Sequence, residues 1–110
     1  MAATPSFDER ERYVRELAAF IEIPSVSLDP AHRDDMRRAA DWVAGQLAFA
    51  GGRVVETDGH PAVLAEWLGA PGAPTILVYG HYDVQPPGDG GTWTTPPFAP
   101  SVRDGRIYGR

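Results

Sequence analysis

Thr75-Ile76-Leu77-Val78-Tyr79-Gly80-His81-Tyr82-Asp83 is the stretch on which the fold turns. Thr75 to Tyr79 is a nearly continuous apolar run with no internal glycine or proline. Such a run predicts a strand covered on both faces, because a strand with one wet face alternates apolar and polar residues. Gly80 breaks the run, and His81 and Asp83 come directly after it. In sheets flanked by helices, catalytic and binding groups collect at the carboxyl ends of strands. If the chain stays extended past Gly80, His81 and Asp83 project to the same side. The ring of His81 is then expected to point out of the core, into a groove.

Upstream of this stretch the sequence reads as helical. Ser6 and Glu9 have capping-box spacing, and Val14, Leu17, Ala18 and Ile21 lie beyond them on one helical face. Pro24 stops that helix, so Ile23 to Ser27 is expected as a loop. Asp29-Pro30 predicts the start of a second helix, with proline at its first position. Met36, Ala39, Ala40, Val43, Leu47 and Ala50 line its apolar face, and Gly51-Gly52 ends it.

Glycine and proline are concentrated downstream: of the 23 such residues (12 Gly, 11 Pro), 17 lie from Asp58 onward. Strands are expected from Arg53 to Thr57 and from Ala62 to Leu68, with a turn at Asp58-Gly59. Pro86 to Pro100 should be a long loop, because each proline removes a ladder donor. Asp104-Gly105, inside Val102 to Tyr108, is a two-residue hairpin signal. Helices ahead of a covered strand predict an α/β fold with a mixed sheet, residues 1–110 forming the N-terminal part of one catalytic domain.

Composition narrows the chemistry. The chain of 110 residues has 43% hydrophobic and 23% charged residues and a net charge of −5, which is globular and lacks the basic patch of a nucleic-acid binder. All ten cationic residues are arginine, so lysine Schiff-base chemistry is excluded from this stretch. With no cysteine, thiolate-ligated zinc and disulfides are excluded as well. Gly88 to Gly91 has no Gly-Lys-Ser/Thr after it, so a nucleotide-binding P-loop is not supported. The N-terminus lacks a signal-peptide core, and no run approaches the ~18 apolar residues of a membrane helix. The expected location is cytoplasmic, with no membrane and no nucleic-acid partner.

A neutral imidazole is a good zinc ligand, and a carboxylate two residues on can orient it. An isolated His-x-Asp is nevertheless more often a structural histidine bonded to a nearby aspartate. Trp93 and Phe98 could line a cleft, although packing a proline-rich loop is their commoner use. His32, among charges, and His60, before Pro61, read as surface residues outside any metal site. Asp34 and Asp35 read as first-turn acids favoured by the helix dipole.

The residues downstream of Asp83 raise the weight of a metal site. Val84-Gln85-Pro86-Pro87-Gly88, Trp93, Pro96-Pro97-Phe98-Ala99-Pro100 and Arg103-Asp104-Gly105-Arg106-Ile107-Tyr108-Gly109-Arg110 come in order. With Gly80-His81-Tyr82-Asp83, they resemble the two-zinc metallopeptidase and amidohydrolase family of aminoacylases, succinyl-diaminopimelate desuccinylases, glutamate carboxypeptidases and carnosinase-type dipeptidases. The form looks most like the dipeptidase branch. The likeness is strong from Ile76 to Arg110 and looser from Phe7 to Ala50, where an Ile-Pro-Ser-Val-Ser loop between two helices is also similar.

That resemblance implies a zinc-exopeptidase-like catalytic domain, with His81 matching a metal ligand and Asp83 the catalytic aspartate. It implies two zinc ions, or other divalent metals, and a small peptide or N-acyl amino acid as substrate. A homodimer is the oligomer it suggests. The metal-bridging aspartate, the general-base glutamate, the remaining ligands and the lid or dimerisation domain would lie beyond Arg110. The expected reading is therefore an incomplete piece, from a longer protein or a truncated gene, catalytically silent alone. Dipeptide hydrolysis is the leading activity for the parent. Deacylation or desuccinylation of N-acyl amino acids is the alternative, and a non-catalytic remnant module is the reading from another class.

Overall fold

The computed structural model describes residues 3–110. The chain divides into two compact units, Met1–Pro24 with Pro86–Arg110 and Ser25–Gln85.

In the first unit, helix α1 spans Phe7–Ile21. The expected capping box forms: the Ser6 hydroxyl accepts from the Glu9 N–H, and the Glu9 carboxylate accepts from the Ser6 N–H at 2.8 Å. These bonds satisfy two of the donors that every helix start leaves open. Pairs at i,i+4, Arg12 with Glu16 and Arg15 with Glu11, lie along the exposed face. The segment from Pro86 to Pro100 is a loop with one 3₁₀ turn, Gly90–Thr92, as its proline content predicts. Trp93 holds this loop by donating its indole N–H to the Pro87 carbonyl at 2.9 Å. Pro97 accepts from the Arg110 N–H at 2.7 Å.

The chain then closes in a hairpin of β3 (Ser101–Arg103) and β4 (Arg106–Tyr108). Both turn residues adopt positive φ, Asp104 at 50° and Gly105 at 71°. This is the backbone that an Asp-Gly turn favours, because its twist matches that of the flanking strands. The Arg103 guanidinium lies 4.2 Å from the centre of the Tyr108 ring. At Gly109 a Cβ would meet Ile21 Cγ2 at 2.6 Å, so only glycine allows this approach.

The second unit is organised by helix α2, Arg33–Gln46. It is entered through a 3₁₀ turn, Pro30–His32, capped by Asp29, whose carboxylate accepts from the Ala31 N–H at 2.9 Å. A second 3₁₀ turn, Ala48–Ala50, ends at Gly51, whose φ of 67° is left-handed, as expected of a helix-ending glycine. Met36, Ala39, Ala40 and Ala50 are buried, and Val43 and Leu47 are half-buried, so the apolar face read from the sequence is the face that packs. That face covers an antiparallel pair, β1 (Arg53–Val55) with β2 (Ala62–Leu64), in which Val54 opposes Val63. Both strands are shorter than the sequence suggested. The Glu66 N–H donates to the Ala50 carbonyl at 2.8 Å and fastens the chain after β2 to the end of the helical region.

The α/β class expected from the sequence holds: α1 and α2 precede antiparallel strands, and a parallel bridge joins Val26 to Val84. One expectation fails. Thr75 to Tyr79 is not a buried strand: it joins no ladder, and Ile76, Leu77, Val78 and Tyr79 are 82–93% exposed. A strand obtains its ladder and its cover from neighbours, and among the described residues no strand lies beside this run. Its apolar pattern therefore records what the residues need, not what surrounds them. Among the described residues, no helix is long and apolar enough to cross a membrane.

Candidate metal centre

The site lies within the second unit, where two short segments meet. Pro24 ends helical structure, and Ser25 and Val26 lead into a turn that includes Ser27 and is closed by the Asp29 N–H donating to the Val26 carbonyl at 3.3 Å. Val26 is buried to 2% exposure and bridges in parallel to Val84, with the Val84 N–H donating to the Ser25 carbonyl at 2.9 Å. Ser25, itself buried, donates its hydroxyl to the Tyr82 carbonyl at 2.9 Å. These contacts fix the path of the chain from Tyr82 to Val84.

His81 and Asp83 do meet. His81 Nδ1 lies 3.0 Å from Asp83 Oδ1 and 3.0 Å from the Asp83 carbonyl oxygen. Only the Nδ1–H tautomer can donate to these acceptors, which turns the Nε2 lone pair away from the carboxylate. The His81 side chain is 76% exposed, so the ring faces outward, as the sequence predicts, although no strand precedes it. The second carboxylate oxygen, Asp83 Oδ2, accepts from the Ser27 hydroxyl at 2.5 Å. The Ser27 hydroxyl, together with the His81 ring, holds the Asp83 carboxyl below its ordinary pKa, against the opposing effect of burial. Burial pushes the Tyr82 hydroxyl up, and the Asp83 charge adds to this while Arg37 opposes it. The Tyr82 hydroxyl donates to the Pro61 carbonyl.

The two other histidines differ from their sequence reading. His60 is not a bare surface residue: it is half-buried, and its Nε2–H donates to the Ser27 carbonyl at 2.8 Å. His32 is also half-buried, with Nδ1 2.7 Å from Asp35 Oδ2. Asp35 further accepts from Arg38 at 2.5 Å, so it serves this local network as well as the helix start. Sequence reasoning missed Ser25, Ser27 and His60. The one signal for the serines was their period-2 spacing around an apolar valine, directly after a helix-stopping proline.

His81 fits one corner of a metal site: an exposed imidazole with one nitrogen held by a carboxylate and the other available. A tetrahedral zinc site takes about four ligands. Among the described residues, no group of three or more histidine, cysteine, aspartate or glutamate side chains is gathered to hold an ion. The arrangement can orient an imidazole and raise its basicity.

Residues 77–110 match Peptidase family M20/M25/M40. The family resemblance drawn from Gly80-His81-Tyr82-Asp83 and the motifs after it therefore holds. The chain is 38% identical over 109 residues to the cysteinylglycine-S-conjugate dipeptidase of Corynebacterium striatum, covering 92% of this chain and 23% of that protein. It is 31% identical over 115 residues to the Cys-Gly metallodipeptidase dug1 of Schizosaccharomyces pombe, covering 93% of this chain and 24% of the relative. A solved structure of the di-peptidase Dug1p from Saccharomyces cerevisiae superposes with a TM-score of 0.81 at 28% identity, covering 94% of this chain and 25% of that one. The chain thus spans about a quarter of the length of the curated relatives it matches.

Proposed function

We propose that these residues form the front of the catalytic domain of a metal-dependent dipeptidase, with His81 as a metal ligand and Asp83 as the catalytic carboxylate that orients it. The observation that carries this reading is the His81–Asp83 pair: Nδ1 bonded to a carboxylate on a side chain that is 76% exposed, inside the segment that matches the M20 family. Metal-binding histidines almost always donate their second nitrogen in this way.

The bound ion would supply Lewis acidity toward the amide carbonyl and toward water. His81 would hold it through Nε2. Asp83 would fix the tautomer and raise the basicity of the ring. The base that takes the proton from water is assigned by the resemblance to a glutamate beyond Arg110. Zinc is the proposed ion, since an imidazole partnered by a carboxylate suits it well. Two ions, a homodimeric assembly and a cytoplasmic location belong to the same reading, supported by the family resemblance and, for location, by the cysteine-free sequence.

A dipeptide is favoured over an N-acyl amino acid because the two dipeptidases align over more than nine-tenths of the chain, helices included. The test is hydrolysis by the whole protein, zinc-loaded, of a Cys-Gly dipeptide and of an N-succinyl amino acid. Chelator-sensitive release of free amino acids from the dipeptide is expected. Cleavage of the succinyl substrate alone would move the assignment to desuccinylation, and hydrolysis of neither would overturn it.

A further inference from the structure

A carboxylate can present either oxygen to a neighbouring imidazole and can turn away to water, especially when its side chain is 38% exposed, as that of Asp83 is. Something must select the orientation in which Oδ1 meets His81. The Ser27 hydroxyl does this geometrically: it donates to Oδ2 at 2.5 Å and leaves Oδ1 to accept from His81 Nδ1 at 3.0 Å. Ser27 comes from 56 residues upstream, so the contact belongs to the tertiary fold.

Ser27 is itself held in place. Its carbonyl accepts from His60 Nε2–H at 2.8 Å, and His60 stands in the turn between β1 and β2. That turn is closed locally: the Thr57 hydroxyl donates to the His60 carbonyl at 2.7 Å and accepts from the Gly59 N–H at 3.0 Å. The next residue, Pro61, accepts from the Tyr82 hydroxyl. One turn thus braces both the serine that grips Asp83 and the tyrosine next to Asp83 in the chain. On the far side of Val26, Ser25 holds the Tyr82 carbonyl.

We infer that Ser27 is a positioning residue for the His81–Asp83 pair, with His60 as the brace behind it. The inference rests on the proposed role of His81 as a metal ligand. Ser27 touches neither metal nor substrate and acts through Asp83. It keeps the carboxylate turned so that the imidazole stays in its Nδ1–H tautomer with the Nε2 lone pair free. Without the hydroxyl, the Asp83 carboxylate turns to water, and His81 Nδ1–H keeps only the neutral Asp83 carbonyl at 3.0 Å, so the ring populates the second tautomer to a larger extent, and only the Nδ1–H form can ligate through Nε2.

The test uses the whole protein with its histidines labelled with ¹⁵N, prepared as wild type, Ser27→Ala, Ser27→Thr and His81→Ala. Three quantities are read: the His81 tautomer from long-range ¹⁵N–¹H couplings at one fixed pH in the zinc-free protein, zinc affinity by chelator competition, and the urea midpoint. Wild type is expected to show His81 as Nδ1–H. Ser27→Ala is expected to mix the tautomers and to weaken zinc binding by about tenfold, the low end for loss of such a supporting contact. Ser27→Thr, which keeps the hydroxyl, should restore both quantities.

Wild-type His81 in the Nε2–H tautomer would overturn the inference even if Ser27→Ala failed to fold. A folded Ser27→Ala with wild-type tautomer and affinity would overturn it too, as would a folded Ser27→Thr no better than alanine. Zinc retained in full by His81→Ala would instead defeat the underlying assignment of the metal ligand, so the two failures are distinguishable.

Discussion

Replacing Asp83 by asparagine tests the chemistry of the pair directly. The carboxylate now accepts two bonds, from Ser27 on Oδ2 and from His81 on Oδ1. Asparagine keeps the shape but offers one acceptor and one donor group. Ser27 can rotate its hydroxyl and accept from the amide, which leaves the amide oxygen to His81. The imidazole then keeps a partner but loses the charge on it. Hydrogen bonds to charged groups contribute about 1.5–3 kcal/mol and neutral ones about 0.5–1.5 kcal/mol, so the exchange costs His81 about 1–1.5 kcal/mol. Side-chain exposures of 76% for His81 and 38% for Asp83 let water compete, which favours the lower figure. At about 1.4 kcal/mol per factor of ten, the loss in zinc affinity is about fivefold. The assay is chelator competition on the whole protein, with dipeptide turnover measured at saturating zinc. The variant should still load with metal at saturation and should turn over more slowly. Unchanged affinity and turnover would refute the orienting role. Loss of zinc as complete as in His81→Ala would also refute it, because Asp83 would then be a ligand itself.

Two further outcomes rest on the packing of α2 and on the start of α1. Met36 is 2% exposed beside Ala39 and Ala40, so Met36→Ala should cost about 2–5 kcal/mol of stability, read as a lower urea midpoint; an unchanged midpoint would contradict the burial of this face. Glu9 is held below its ordinary pKa of 4.5 chiefly by its bond to the Ser6 backbone. A lowered carboxyl pKa stabilises the folded state above the unfolded value, and that stability is lost as pH falls through the folded one, so the protection of α1 amides, taken relative to their intrinsic exchange rate at each pH, should fall on acidification below 4.5. Glu9→Gln should flatten that pH dependence, and its persistence in the variant would assign it elsewhere.

The parts of this chain legible in the sequence are those governed by neighbours in sequence. The Ser6–Glu9 box, the Asp29-Pro30 start, the Gly51 stop and the Asp104-Gly105 turn each depend on a few adjacent residues, and each forms, although the Asp29-Pro30 start and the Gly51 stop bound 3₁₀ turns on either side of a shorter α2. The apolar face of α2 was readable because burial of Met36, Ala39 and Ala40 needs only a helical period and some surface to meet it. Thr75 to Tyr79 was misread because covering a strand requires partners that its own residues do not specify. At the candidate site, His81 and Asp83 were legible as a pair two residues apart. Ser27 and His60 were not, since their bonds span 56 and 33 residues and nothing local marks a serine or a histidine as reserved for a distant acceptor or donor.

The central claim is that His81 ligates a metal through Nε2 while Asp83 holds Nδ1. The most direct measurement is the zinc content and dipeptide hydrolysis of the whole protein with His81→Ala, beside His32→Ala, whose imidazole is engaged by Asp35 and takes no part in the site. The account predicts weakened zinc binding and near-complete loss of hydrolysis for His81→Ala, with both quantities at the parent level for His32→Ala. Full zinc content and full hydrolysis in His81→Ala would contradict it.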